Sequence, residues 1–182
     1  MNDIWGEDRP VLQLVHDSAA GGEPITQFSG RHEFLSNPFS CQVWFEGLLY
    51  PSTEHAFQAA KSLFPAERER IAAMTRWKDA KAAGRRLKLR PGWGQLRRAV
   101  MLQVVLAKFT QHPGLAWQLR GTGNRTLIEG NWWGDTDWGA VRPEHPHFKP
   151  ELPWWHYGDL ALAGHNWLGI ALMTVREHLE VP

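Results

Sequence analysis

The sequence predicts an α+β fold, predominantly α-helical, with a small antiparallel sheet, and three observations carry that prediction. Residues 95–111 place Leu96, Val100, Met101, Leu102, Val104, Val105, Leu106 and Phe109 on most faces of one long helix. Shorter helical patterns recur between residues 52 and 87 and again at the C-terminal end. Against them stands one clear hairpin signal, two β-prone runs flanking Glu46-Gly47. With 182 residues, of which 43% are hydrophobic and 21% charged, the chain is long and apolar enough to bury a core as one domain.

The elements follow in order. Residues 1–24 mix charges with Gly21-Gly22 and read as an N-terminal arm, leaving 25–182 as the domain. Residues 25–29 are expected as a short strand, 42–45 and 48–51 as the two strands of the hairpin. Ser52 or Thr53 caps a helix reaching Phe64, where Pro65 stops it. Further helices are expected over 66–74 and 78–87. The 95–111 pattern, ended by Pro113, is apolar nearly all round and should be the buried central helix. Residues 114–119 add a turn, and 126–129 a strand leading into a Trp-rich loop. Residues 142–158 hold Pro143, Pro146, Pro150 and Pro153 and should form a long surface excursion with no regular element. Leu168, Leu172, Val175 and Leu179 make one stripe of a closing helix over 166–179.

Bulk properties exclude several classes of function. A formal net charge of +1 gives no global field to draw the protein onto nucleic acid or a membrane. The local cluster Arg85, Arg86, Lys88 and Arg90 reads as a solvated helix end. One cysteine, Cys41, leaves no intramolecular disulfide or cysteine-based zinc site, and its apolar neighbours suggest a buried thiol. No apolar run approaches the length of a membrane span and no leader opens the chain, so a soluble cytoplasmic protein without membrane contact is expected. His145, His147 and His156 lack the spacing of a metal site; there is no nucleophile elbow and no phosphate loop. No metal and no cofactor are expected.

Three constellations carry chemistry. Leu127-Ile-Glu-Gly-Asn-Trp-Trp-Gly-Asp-Thr-Asp-Trp-Gly139 sets aromatic planes beside carboxylates on backbone loosened by glycine. Such a segment suits stacking a flat ring and moving protons beside it; a share of the chain's 11 tryptophans must equally be core. In Tyr50-Pro-Ser-Thr-Glu-His-Ala-Phe-Gln-Ala-Ala-Lys61, Glu54, Gln58 and Lys61 fall within about 60° of one another on a helix. That stripe is either a surface ion-pair row or a packed polar seam, and the alanines around it favour the seam. Phe34-Leu-Ser-Asn37 is a turn whose Ser36 and Asn37 serve either their own backbone or a ligand.

Taken in register with Arg90-Pro-Gly-Trp93 and Gly164-His-Asn-Trp-Leu-Gly169, these pieces resemble the NADAR family of YbiA-like N-glycosidases over about residues 25–180. The resemblance implies a single YbiA-like domain and hydrolysis of an N-glycosidic bond between a base-like group and ribose. Members resemble enzymes acting on early riboflavin-pathway intermediates; others look like antitoxins that strip ADP-ribose from guanine in DNA, undoing a partner ADP-ribosyltransferase. Removal of ADP-ribose from ADP-ribosylated guanine, in DNA or as a nucleoside-like small molecule, is the expected reaction, with the riboflavin intermediates as the alternative. A non-catalytic ADP-ribose or NAD-binding module is the rival from another class.

By motif the resemblance assigns catalysis to Glu54 and Asp135, and stacking or positioning to Trp93 and Trp133. Phe34, Ser36, Asn37, Gln58, Lys61, Asn131 and Asn166 are the further substrate contacts, while Arg31, Lys61 or Arg85 are candidates for a phosphate. Glu54 is expected to be the ionised carboxylate, since the first turn of a helix and Lys61 both favour charge. Asp135, among Trp132, Trp133 and Trp138, is then the proton donor to the leaving base, and the reverse assignment of the two carboxylates is the alternative. Two departures from shorter relatives, residues 1–24 and 142–158, leave the substrate less determined than the reaction.

Overall fold

The computed structural model describes residues 22–157 and 160–179, so nearly all of the expected arm lies outside the described residues. In chain order it contains a 3-10 helix (Gly30–Leu35), strands β1 (Val43–Phe45) and β2 (Leu48–Tyr50), and helices α1 (Thr53–Ala59), α2 (Pro65–Ala72), α3 (Trp77–Gly84), α4 (Trp93–Gln111) and α5 (Pro113–Arg120). Strands β3 (Trp154–Tyr157) and β4 (Leu160–Ala163) and helix α6 (Trp167–His178) complete it. The described residues form two compact units: a helical unit of Phe28–Gly121 with the chain from Ile170 onward, and a loop unit of Thr122–Gly169 with the chain up to Gln27.

In the helical unit, α4 is the central helix, but against the expectation from its all-round apolar pattern it buries one side only, with Leu96 and Leu106 exposed. Val100, Met101, Val104, Val105 and Phe109 are buried, and α1, α5 and β1 pack on it. β1 and β2 pair antiparallel as expected, Val43 opposite Tyr50, around Glu46 and Gly47, both at positive φ. The open edge of β1 is closed by a side chain: the Gln111 amide donates to the Trp44 carbonyl and accepts from its N–H, each at 2.8 Å. Arg68 on α2 reaches the hairpin turn through an ion pair to Glu46 at 2.9 Å.

Helix α1 is shorter than the sequence predicts, stopping at Ala59 instead of Phe64. Phe64 is extended because it precedes Pro65, which opens α2, and Ser62 turns the chain between them by accepting the Phe64 N–H. The free carbonyls at the end of α1 are taken by Arg90, whose N–H donates to Lys61 at 2.7 Å and whose guanidinium donates to Ala60 at 3.3 Å. Residues 114–119, expected as a turn, belong to a full helix, α5, with Pro113 at its first position.

The loop unit departs furthest from expectation. Residues 25–29 and 126–129 are not strands; they meet at one parallel bridge, Ile25 to Leu127. The place of a neighbouring strand is taken by one side chain, for Asn166 Nδ2 donates to the Leu127 carbonyl and Asn166 Oδ1 accepts the Glu129 N–H, both at 2.9 Å. Residues 142–158 do contain a regular element, since β3 pairs antiparallel with β4 from Trp154–Ala163 to Tyr157–Leu160. The prolines masked it: they end at Pro153, and beyond it the Trp, Tyr and Leu residues pair as a hairpin. No helix among the described residues is long and apolar enough to cross a membrane.

Candidate active site

Every residue of α1 is buried, so the Glu54–Gln58 stripe is a packed polar seam and not a solvated face. Glu54 is 7% exposed, a depth at which a carboxylate is kept only with a partner or a task. Gln58, one turn on, donates Nε2 to Glu54 Oε1 at 2.8 Å. The helix start is held by two caps: Ser52 Oγ engages His55, and the Asn37 carbonyl accepts the Glu54 N–H at 3.0 Å and the Thr53 hydroxyl at 2.9 Å. Position 54 therefore lies in the first turn, where the aligned peptide dipoles favour a negative charge.

Lys61 follows α1 and is half-buried. Burial holds its ammonium below the ordinary lysine value, Lys81 and Arg85 push it the same way, and the nearby Glu54 carboxylate opposes them. Its Nζ lies 5.8 Å from the centre of the Phe57 ring, and that ring tilts against Trp93 at 5.4 Å. A buried carboxylate, three cations in electrostatic reach of one another and an aromatic pair are thus gathered around α1. The carboxylate suits positive charge developing on a reacting carbon, and the cations suit an anionic substituent.

In the loop unit, Asn131 organises the Trp-rich segment. Its Nδ2 donates to the Asp135 carbonyl at 2.7 Å while its Oδ1 accepts the Asp135 N–H at 2.9 Å, closing a tight loop. Asp135 Oδ1 in turn accepts from the N–H groups of Asp137 at 3.1 Å and Trp138 at 2.9 Å. The loop thrusts its aromatic rings outward: Trp132 is 82% and Trp133 49% exposed, edge to face at 5.9 Å. Two histidines of the Pro-rich stretch clasp it. His147 N–H donates to His145 Nδ1 at 3.0 Å, which makes His145 Nε2 the donor to the Trp132 carbonyl at 3.0 Å, and His147 Nδ1 lies 3.1 Å from the Gly134 carbonyl. Among the described residues no three His, Cys, Asp or Glu side chains are arranged to hold a metal ion.

These contacts redistribute the expected roles. Glu54, Gln58 and Lys61 do converge, with Trp93 joined through Phe57, and Gln58 gives its Nε2 to Glu54. Trp93 is 8% exposed and makes a wall, whereas Trp133 remains an open stacking surface. Phe34 is a core ring edge-on to Phe109, Ser36 bonds the Glu33 carbonyl, and Asn37 spends its amide on Thr53 and Met101 Sδ. Asn131 and Asn166 likewise give both ends of their amides to backbone. The side chains of these turn and loop residues hold the fold, and for the buried Asn37 and Asn166 this follows because buried polar groups must be satisfied internally. Asp135 Oδ1 serves as an acceptor within its own turn. Arg31 is exposed on the 3-10 helix, and Arg85, also exposed, is the one of the two that acts on Lys61.

Sequence reasoning missed Lys81, the histidine clasp and the glycine on which Gln58 rests. Lys81 had a signal, standing four residues before Arg85 on one helical face. The histidines had none, since their partners are backbone carbonyls thirteen residues away.

The sequence matches the NADAR domain over residues 17–180. N-glycosidase YbiA of Escherichia coli K12 is 31% identical over 153 residues, covering 81% of each chain, and N-glycosidase YbiA of Shigella boydii is 30% identical over 149. A riboflavin biosynthesis protein of Vibrio vulnificus is 33% identical over 154 residues, 82% of this chain; the match spans only 36% of that longer relative. The NMR structure of E. coli YbiA superposes with a TM-score of 0.67 at 30% identity, over 86% of this chain and 84% of that one.

Proposed function

The chain belongs to the NADAR family, and from that membership we propose that it is an N-glycosidase, hydrolysing the bond between a nucleobase-like group and ribose with Glu54 as the catalytic carboxylate. The observation that carries the reading is the burial of Glu54 at the start of α1, oriented by Gln58 and faced by Lys61. Cleavage develops positive charge at the anomeric carbon, which an ionised, desolvated carboxylate stabilises far better than water does. Glu54 then takes a proton from the attacking water and returns it to the departing base, so that one water is consumed and the carboxylate is restored. Lys61, Lys81 and Arg85 supply the charge to hold a phosphate or diphosphate on the sugar.

Removal of ADP-ribose from ADP-ribosylated guanine is the substrate reading we favour, since the cations around α1 match a diphosphate. The base is reached in DNA only if it is flipped out or single-stranded. An ADP-ribosyltransferase that makes the adduct is then the cognate partner in a toxin–antitoxin pair. The alternative is an early riboflavin-pathway intermediate, favoured by the similarity to the riboflavin biosynthesis protein of Vibrio vulnificus.

Incubation with ADP-ribosylated guanosine and with a ribosylated pyrimidine phosphate, followed by mass spectrometry of the released base, separates the two. Binding without release of either base would instead mean a non-catalytic recognition module. Glu54→Gln keeps the fold and lowers base release by about a hundredfold or more. Asp135→Asn, which still accepts the two N–H bonds, is expected to stay within about tenfold of wild type. A loss in Asp135→Asn as deep as in Glu54→Gln would restore a two-carboxylate mechanism.

A further inference from the structure

Gln58 is 4% exposed, and only one end of its amide is used: Nε2 donates to Glu54, while Oε1 is buried with no hydrogen-bond partner. Leaving a carbonyl unpaired costs about 1–3 kcal/mol, and turning the amide round would set two acceptors against each other at Glu54. Glu54 therefore dictates the orientation of the amide. What makes room for it is Gly84, the last residue of α3, which packs on α1. A Cβ at Gly84 would overlap Gln58 Oε1 and stand 2.8 Å from Cδ. Gly84 has no positive φ to explain it, unlike seven other glycines, and it closes an Ala-rich helix where alanine is worth about 1 kcal/mol more. The glycine is there for space and not for backbone conformation.

We propose that Gly84 is a positioning residue for the reaction: it gives the Gln58 amide its seat, and through Gln58 it sets the Glu54 carboxylate. The inference rests on the reading of Glu54 as the catalytic carboxylate. Gly84 and Gln58 touch Glu54 or its holder and no reacting atom, so their loss lowers kcat and leaves KM near wild type.

The test is a double-mutant cycle in base release from ADP-ribosylated guanosine. Gly84→Ala lowers kcat on the order of 10- to 100-fold with KM within about twofold. Gln58→Ala does likewise, and the double variant turns over as slowly as Gln58→Ala alone, because the methyl has no amide left to displace. Should Gly84→Ala fail to fold, the double variant, freed of the overlap, folds and matches Gln58→Ala. A readout independent of turnover is the 15N side-chain amide signal of Gln58, protected from solvent exchange in the wild type and losing that protection in Gly84→Ala. Additive losses in the cycle, or a Gln58 amide unchanged by Gly84→Ala, overturn the proposal. Full activity in Glu54→Gln would remove the reading beneath it while leaving the amide result standing.

Discussion

Lys108 and Glu54 are both ionisable side chains buried in the helical unit, and they differ in what surrounds the charge. Lys108 is 1% exposed; Nζ donates to the Ser36 carbonyl at 2.9 Å and lies over the rings of Phe39 and Phe109 at 5.2 and 5.3 Å. Burial pushes its ammonium down to about 8, partly opposed by Cys41. Because the folded value lies below the unfolded 10.5, the unfolded chain binds the extra proton between the two, and stability rises with pH across that window. The stability of the wild type relative to Lys108→Met should therefore grow by roughly 3 kcal/mol between pH 8 and 10.5. Denaturant titrations at several pH values measure it, and parallel curves for the two proteins would contradict it. The site of Lys108 was legible in part: it falls four residues after Val104 and seven after Met101, on the buried face of α4. Its acceptor, a carbonyl 72 residues earlier, was not.

At the scale of elements, side chains stand in for backbone within each unit, Gln111 at the edge of β1 in one and Asn166 beside Leu127 in the other. Gly134 shows how tightly the Trp-rich loop is drawn. It has φ +87°, and a Cβ there would overlap His147 Nδ1 and stand 2.7 Å from Cε1. Gly134→Ala is expected to break the histidine clasp, at a cost of about 1–3 kcal/mol within the loop. Hydrogen exchange of residues 131–138 should speed up while that of α4 is unchanged; unaltered protection would mean that the clasp does not restrain the loop. The helices were readable from period and caps, to within a turn at most ends. The loop unit was not, because a strand can be replaced by one amide such as Asn166, which leaves no periodic trace.

For the molecule as a whole, a net charge of +1 means that attraction for an anionic substrate must come from the local cations. Raising salt from about 0.05 M to about 0.5 M should increase KM by about fivefold, and Arg85→Ala should both raise KM and flatten that dependence. Steady-state kinetics across salt concentration measures this, and an unchanged slope would remove Arg85 from anion binding. Family, helix content, the central helix and the carrier motif of Glu54 were determined by the sequence alone, since each rests on spacing within one element. Tertiary structure alone decided which polar residues remain for chemistry. Ser36, Asn37, Asn131 and Asn166 fit a ligand as well as Glu54 does on paper. Ser36 and Asn131 are taken by partners within their own turns. The partners of the buried Asn37 and Asn166, by contrast, lie elsewhere in the chain, where only the fold brings them near.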